Sequence, residues 1–206
     1  PSKLEIREVE INKIIENTLS LLSYQKDFKN IETRLDLQSD LPLIKGDESQ
    51  LSQVFINIIL NAIDAMPNGG SLQIQTGGHV MDYSYEDLLQ RDYPPRRKSD
   101  PMESDYSSLR KSDPLPTLLT KFSKGDRLVK VRISDTGGGI KKEDLENVFD
   151  PFFTTKAPDK GTGLGLSISL RIVESLGGEI KVESEEGKGT TFEIYFPAAD
   201  ETGILE

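Results

Sequence analysis

The chain has 206 residues, which suits one domain with a sizeable core, and its net charge of −10 argues against a nucleic-acid backbone as partner. Cysteine is absent, which excludes disulfides, thiolate chemistry and zinc–thiolate sites. No apolar run approaches the ~20 residues of a membrane span, and no signal peptide opens the sequence. We therefore expect a cytoplasmic domain without direct membrane insertion, and leave open whether a longer parent protein is membrane-anchored.

The first forty residues show the patterns of scaffold elements. Residues 3–7 alternate as a short strand does, and Ile31–Leu37 alternates again. Between them, apolar residues recur at helical spacing over residues 11–24, and Asn12 is a plausible N-cap. These patterns predict a strand, a helix and a second strand, without chemistry of their own.

A longer helix is predicted over residues 48–66, with Asp47 as its N-cap and a Pro-Asn-Gly-Gly turn after it. Between two apolar faces the helix has a polar stripe, which consists of Gln50, Gln53, Asn57, Asn61 and Asp64. Carboxamides on a largely buried helix need partners. The stripe is thus either a solvated face or the wall of a polar cavity, and Asn57 and Asn61, one turn apart, would point into one site.

After a strand at residues 71–76, residues 77–127 change in character. They contain five prolines, no sustained periodicity and two copies of the sequence Arg-Lys-Ser-Asp-Pro. Structureless stretches of this length are uncommon inside a compact domain. We predict an insertion between two hairpin-paired strands, and two roles remain open: a docking or regulatory surface, or a tolerated loop.

Two glycine clusters follow, separated by a loop with paired aromatic residues. The first, Asp135-Thr-Gly-Gly-Gly-Ile140, ends a predicted strand at residues 129–134. The second, residues 161–167, begins an amphipathic helix predicted over residues 164–176, and a short helix is predicted over residues 142–148. Glycines at a helix N-terminus let backbone N–H groups approach an anion. The two clusters therefore predict a nucleotide site. After the second cluster and its helix, residues 179–184 and 190–196 are predicted to form a hairpin.

Together these blocks resemble the ATP-binding catalytic domain of sensor histidine kinases, most closely the nitrogen-regulation type. The matching segments are an N box (residues 57–62), a first glycine box (residues 135–140), an aromatic box (residues 149–156), a second glycine box (residues 161–166) and a third (residues 187–192). The resemblance implies an α+β fold of the Bergerat type. This is a two-layer α/β sandwich in which helices cover one face of a mixed sheet, here with the long insertion in one domain of residues 1–206.

The resemblance also implies roles for individual residues. Asp135 would accept a hydrogen bond from the adenine amino group, with Thr191 assisting through water. Asn61 would ligate Mg²⁺, and Asn57 would reach the phosphates or the water shell of the metal. Asp64 departs from the basic residue that many members carry at this position. The residues implied in binding ATP or ADP are Asn57, Asn61, Asp135, Gly137, Gly139, Ile140, Lys156, Lys160, Gly161, Thr162, Gly163, Leu164, Gly165, Leu166 and Thr191.

The implied activity is transfer of the γ-phosphoryl group of Mg-ATP to a histidine on a dimerisation domain that this chain lacks, and from there to a response regulator. Hydrolysing relatives carry a Glu where this chain has Asn57, and a carboxamide cannot act as a general base. The single histidine, His79, stands at the start of the insertion and is not predicted to accept phosphate. Two alternatives remain: an ATP-binding regulatory or scaffold module, and a serine kinase or ATPase of the same fold.

Overall fold

The computed structural model describes residues 5–24, 27–81, 118, 121–156 and 161–199. Two compact units form, one from Pro1–His79 together with Arg127–Glu206, and one from Val80–Asp126. In the described part of the second unit, Leu118 and Phe122 are buried, and the backbone N–H of Phe122 donates to the Leu118 carbonyl at 2.9 Å. The remaining paragraphs concern the first unit.

The described residues of this unit form seven strands and three helices. In chain order they are β1 (Arg7–Val9), α1 (Ile11–Leu22), β2 (Ile31–Leu37), β3 (Ile44–Gly46), α2 (Glu48–Ala65), β4 (Gly70–Val80), β5 (Arg127–Asp135), α3 (Gly165–Ser175), β6 (Glu179–Glu185) and β7 (Gly189–Pro197). Five strands make a sheet in the order β2-β4-β5-β7-β6, and β1 pairs with β3 in a separate two-stranded sheet. β2 runs parallel to β4, whereas β7 is antiparallel to both β5 and β6. The predicted α+β arrangement with a mixed sheet is confirmed.

Helix α2 is the centre of the core. Its side chains Leu51, Val54, Phe55 and Ile58 are fully buried, and it contacts α1, α3, β5 and β7. Each such side chain contributes about 1.5–3 kcal/mol by leaving water. Asp47 caps the helix as predicted, because its Oδ1 accepts hydrogen bonds from the N–H groups at positions 49 and 50.

The N-terminal predictions were partly wrong. The first described strand is Arg7–Val9, which shares only Arg7 with the predicted strand of residues 3–7, and residues 3 and 4 lie outside the described ranges. Its position is set by pairing with the short strand β3, which has too few residues for an alternation to be recognised. Helix α1 ends at Leu22, and its N-cap is Glu10. Asn12 lies inside the helix, where its side chain donates to the Gln38 carbonyl at 2.7 Å and accepts from the Thr76 hydroxyl at 2.8 Å. It therefore ties α1 to the sheet instead of starting the helix.

The strand before the predicted insertion is longer than predicted. β4 continues to Val80, so His79 lies within a strand, where its ring meets the Tyr195 ring edge-on at 5.9 Å between centroids. β4 and β5 are neighbours in the sheet, as predicted for the strands that flank the insertion. Most of the insertion, residues 82–117, 119 and 120, lies outside the described residues. The predicted helix over residues 142–148 is only a 3₁₀ turn, Leu145–Asn147.

The other predicted elements are confirmed within a few residues: β2, α2, β5, α3 and the β6–β7 hairpin. Within the described part of the chain, none of the helices combines the length and the apolar character needed to span a membrane.

Candidate functional site

A cavity of about 490 Å³ opens in the first unit beside α2, the loop after β5 and the N-terminus of α3. Both glycine clusters and the C-terminal half of α2 contribute to its wall. The lining residues are Asn57, Leu60, Asn61, Ala62, Asp64, Ala65, Asp135, Gly138, Gly139, Ile140, Val148, Phe153, Thr154, Thr155, Lys156, Gly161, Thr162, Gly163, Gly165, Leu166, Thr190 and Phe192. Its volume lies in the range of small-molecule and cofactor sites.

Asp135, the last residue of β5, is the buried carboxylate of this cavity, with only 9% of its surface exposed. Its Oδ1 accepts hydrogen bonds from the backbone N–H of Gly137 at 2.8 Å and of Thr190 at 3.3 Å. No described residue donates to Oδ2. Burial raises the pKa of Asp135, although the two backbone N–H groups oppose this shift. The carboxylate is therefore held in one orientation with one oxygen free for a ligand.

The first glycine cluster brings its backbone close to neighbouring segments. Gly139 has φ +68°, and a Cβ there would lie 2.1 Å from the Glu185 carbonyl oxygen. A Cβ on Gly137 would lie 2.6 Å from that of Ala65, at the end of α2, whereas Gly138 has open space around it. The turn thus packs between α2 and the β6–β7 hairpin, which only glycine allows at two of the three positions.

Part of the α2 stripe faces the cavity, and its carboxamides have protein partners. Asn57 Nδ2 donates to the Gly165 carbonyl at 2.9 Å and to Ser169 Oγ at 3.1 Å. Its Oδ1 accepts from Gln53 Nε2 at 2.8 Å. Asn57 therefore connects α2 to the first turn of α3, while Gln50 and Gln53 do not line the cavity.

Asn61 and Asp64, the other two stripe residues that line the cavity, both contact Lys156. This lysine lies in the loop that follows the paired aromatic residues. Lys156 Nζ donates to Asn61 Oδ1 at 2.9 Å and forms a 2.5 Å ion pair with Asp64 Oδ2. A cation thus lies against the oxygen that the resemblance assigns to Mg²⁺.

The second glycine cluster is joined to the aromatic loop and begins α3. Gly163 has φ +66°, its carbonyl accepts from the N–H of Phe152 at 2.8 Å, and a Cβ on it would lie 2.3 Å from the Phe152 carbonyl carbon. Leu164 is the N-cap of α3, but no side chain caps the helix. The N–H groups of the first turn therefore face the cavity region without a side-chain acceptor, which suits an anion.

Eleven of the predicted residues line the cavity: Asn57, Asn61, Asp135, Gly139, Ile140, Lys156, Gly161, Thr162, Gly163, Gly165 and Leu166. Gly137 and Leu164 do not line it, and Gly137 acts instead through its hydrogen bond to Asp135. Lys160 lies outside the described residues.

The structure differs from the sequence prediction at Thr191. Its hydroxyl contacts Ser134 Oγ at 2.9 Å, and Thr190 is the threonine that lines the cavity. The signal was present in the sequence, because Phe192 and Ile194 are apolar residues at alternating positions, and the structure buries both on one face of β7. Residues on one face of a strand alternate, so Thr190 shares the face of Phe192 and Thr191 does not.

The donor set fits a magnesium ion that takes most of its ligands from phosphate and water. Asn61 offers a hard amide oxygen as a ligand, although the Lys156 ammonium donates a hydrogen bond to that oxygen in this structure. In the described ranges, no cluster of three or more His, Cys, Asp or Glu side chains could hold a metal ion by itself. A nucleotide would have to supply the remaining ligands.

Comparison with known sequences gives a consistent result. A sequence model of the histidine kinase-, DNA gyrase B- and HSP90-like ATPases matches residues 108–200. The chain is 33% identical over 197 residues to sporulation kinase E of Bacillus subtilis, covering 96% of this chain and 20% of that protein. It is 30% identical over 197 residues to the sensor histidine kinase ZraS of Escherichia coli, covering 96% of this chain and 32% of that protein. The chain thus spans a fifth to a third of these curated relatives.

Solved structures show the same similarity. The catalytic domain of histidine kinase ThkA superposes with a TM-score of 0.62 at 26% identity, covering 94% of this chain and 96% of that one. Full-length ShkA in complex with AMPPNP has a TM-score of 0.62 at 23% identity, covering 96% of this chain and 32% of that one. ThkA in complex with the response regulator TrrA has a TM-score of 0.61 at 24% identity, covering 97% of this chain and 43% of that one.

Proposed function

Because this chain belongs to the family of histidine kinase-, DNA gyrase B- and HSP90-like ATPases, as the ATP-binding catalytic domain of a sensor histidine kinase, we propose that it transfers the γ-phosphoryl group of Mg-ATP to a histidine on a separate dimerisation domain. The observation that carries this proposal is the cavity that joins the buried carboxylate of Asp135 to the uncapped, glycine-rich N-terminus of α3. One end suits a base and the other suits phosphates.

Asp135 recognises the base. Its free Oδ2 accepts a hydrogen bond from the adenine amino group, while Oδ1 stays on the backbone N–H groups of Gly137 and Thr190. Thr190, rather than Thr191, supplies the hydroxyl that assists through water, because it faces the cavity. Guanine presents a carbonyl oxygen where adenine presents its amino group, so the carboxylate disfavours guanine nucleotides.

The phosphates lie near the first turn of α3, where backbone N–H groups and the helix dipole favour negative charge. Asn61 contributes its carbonyl oxygen to the metal, and Asn57 orders the helix start through its bond to the Gly165 carbonyl. Magnesium, when bound, would neutralise phosphate charge. This chain is acidic overall, so such local compensation is needed.

Slow hydrolysis follows from position 57. A carboxamide is too weakly basic to accept a proton from water at neutral pH, and both ends of the Asn57 side chain are engaged with protein groups. This argues against an ATPase. A scaffold module that only binds ATP remains the second candidate, but the intact glycine clusters and both asparagines favour transfer.

The test is transfer in trans. We expect the chain alone, incubated with labelled ATP, to form no acid-labile phosphohistidine. Its single histidine, His79, lies in strand β4 and packs its ring against Tyr195 of β7. Addition of the purified dimerisation domain of the parent protein should produce phosphohistidine on that domain, which then passes the phosphoryl group to a response regulator. His79→Ala should change neither result.

Stoichiometric labelling of His79 would contradict this assignment. ATP binding without transfer to the dimerisation domain would favour the scaffold module, and rapid phosphate release without a protein acceptor would favour an ATPase. Labelling of serine in the added domain would favour a serine kinase.

We also propose that residues 1–206 are one catalytic domain with an insertion that takes no part in nucleotide binding. Every residue that lines the cavity belongs to the unit of Pro1–His79 and Arg127–Glu206. Replacing residues 81–126 by a short Gly/Ser turn should leave the ADP affinity within about threefold, since surface loops tolerate changes of length at small entropic cost. Calorimetry on the folded deletion variant measures this. A tenfold loss of affinity would show that the insertion contributes to the site.

A further inference from the structure

Lys156 reaches across the cavity wall to helix α2. Its Nζ lies 2.9 Å from Asn61 Oδ1 and 2.5 Å from Asp64 Oδ2, and a third of its side chain is exposed. Its backbone is fixed too, because its N–H donates to Thr154 Oγ1 at 3.1 Å and a Cβ on Gly161 would lie 3.0 Å from its Cβ. The ammonium group is thus directed at α2 from a backbone position that these two local contacts restrain.

The ion pair joins Lys156 to Asp64, 92 positions earlier in the chain, and each residue supplies the charge that compensates the other. Asp64 puts a negative charge where many family members have a basic residue, next to the place proposed for the phosphates. Lys156 restores a positive charge at this point from the other side of the cavity. Asp64 is about half exposed, so solvent partly screens the ion pair. Lys156 can therefore exchange the Asp64 carboxylate for another anion.

Asn61 Oδ1 cannot serve the lysine and a divalent ion equally well. An amide oxygen has two lone pairs, so both could approach it in principle. A magnesium ion about 2.1 Å from this oxygen would, however, lie within ~5 Å of an ammonium group that is 2.9 Å from the same atom. Two cations this close in a partly buried site repel each other strongly.

We propose that Lys156 is a tethered cation that competes with the divalent metal for Asn61 Oδ1, and that Asp64 is the positioning residue that holds it there. This inference rests on the proposed function. Without metal, the ammonium leaves Asp64 and meets the phosphates of an incoming nucleotide. With metal, the ammonium is displaced from Asn61 Oδ1. This displacement costs free energy, so Mg²⁺ raises the nucleotide affinity by less than it would without Lys156.

The test compares ADP affinity in Mg²⁺ with that in EDTA at matched ionic strength, by calorimetry, for the natural chain and Lys156→Met. We expect the variant to bind ADP about tenfold more weakly without metal, because a charge-assisted contact to phosphate is lost. With Mg²⁺ its affinity should stay within about threefold, because no ammonium has to be displaced. The gain from Mg²⁺, which is the ratio of the ADP affinity in Mg²⁺ to that in EDTA, is therefore larger in Lys156→Met than in the natural chain.

Lys13→Met is the matched control, since Lys13 also pairs with a carboxylate, Glu10 at 2.7 Å, and does not line the cavity. It makes the same change of net charge and should leave the gain from Mg²⁺ unchanged within twofold. An equal gain in all three proteins, or the same change in both variants, would overturn the competition.

Asp64→Asn tests the positioning role. We expect metal-free ADP affinity to rise about threefold, because the ammonium no longer has to leave a carboxylate, and this rise should vanish in the double variant with Lys156→Met. A rise that persists in the double variant would mean that Asp64 only repels phosphate, and would overturn its role as holder. If the natural chain binds no ADP in either buffer, the proposed function fails, and this inference fails with it. If ADP binds but the gain from Mg²⁺ is not altered, only this inference fails.

Discussion

Asp135→Asn is expected to weaken ADP binding by roughly ten- to a hundredfold, which corresponds to about 1.5–3 kcal/mol for a charge-assisted hydrogen bond. The variant keeps an oxygen that can accept from Gly137 and Thr190, as Oδ1 does now. Its amide nitrogen then replaces Oδ2 and points a donor at the adenine amino group, which is also a donor. For the same reason we expect the preference for ADP over GDP to narrow, because the new donor matches the guanine carbonyl.

The fold should survive this change. Burial raises the pKa of Asp135, so the folded state favours the protonated carboxyl over the charged one. The stability that protonation provides is complete below the unfolded value of about 3.9 and is lost as the pH rises through the folded pKa. At neutral pH the charged carboxylate therefore costs stability, and a neutral Asn avoids that cost.

Calorimetric titration with ADP and GDP, together with thermal unfolding, measures both effects. Asp36→Asn is a suitable control, because Asp36 lies on β2, accepts a hydrogen bond from Gln75 at 3.0 Å and does not line the cavity. It should leave both affinities unchanged. An unchanged ADP affinity in Asp135→Asn would refute the assignment of the adenine contact.

Gly139→Ala is expected to lower the free energy of unfolding by about 2–4 kcal/mol. An L-residue at φ +68° is strained by roughly 1–2 kcal/mol, and the added methyl group would lie 2.1 Å from the Glu185 carbonyl oxygen, so the β6–β7 hairpin must move. That hairpin carries Thr190, whose N–H holds Asp135. We therefore expect ADP affinity to fall together with stability.

Gly138→Ala provides a control one residue away. Gly138 does not have a positive φ, and nothing lies within 4 Å of a Cβ built on it. Urea unfolding should show a change within about 0.5 kcal/mol for this variant, as for ordinary surface substitutions. Equal destabilisation of both variants would mean that the turn tolerates no side chain anywhere, and that the close approach to Glu185 is not the cause.

The sequence predicted the features that depend on neighbouring residues. Asp47 was identifiable as a cap because a side-chain acceptor before a helix satisfies N–H groups two and three positions later. The glycines around the start of α3 and after β5 were identifiable because turns and anion sites use glycines clustered within a few positions. Asp135 followed from its place between a strand and such a turn. The helix predicted over residues 142–148 is only a 3₁₀ turn at Leu145–Asn147, because a few polar residues with helical propensity do not supply a face that packs against the core.

Tertiary structure decided what depends on residues far apart in the chain. β1 and β3 have three residues each, too few for a period to be read, and only their pairing defines them. Asn57 looked free to reach phosphate until its partner in α3, 108 positions away, placed its amide on the Gly165 carbonyl. The ion pair between Lys156 and Asp64 likewise forms only when a loop folds back on α2. Local hydrogen bonding and backbone strain are encoded in adjacent residues, whereas the partner of a polar side chain is set by which segments the burial of the apolar core brings together.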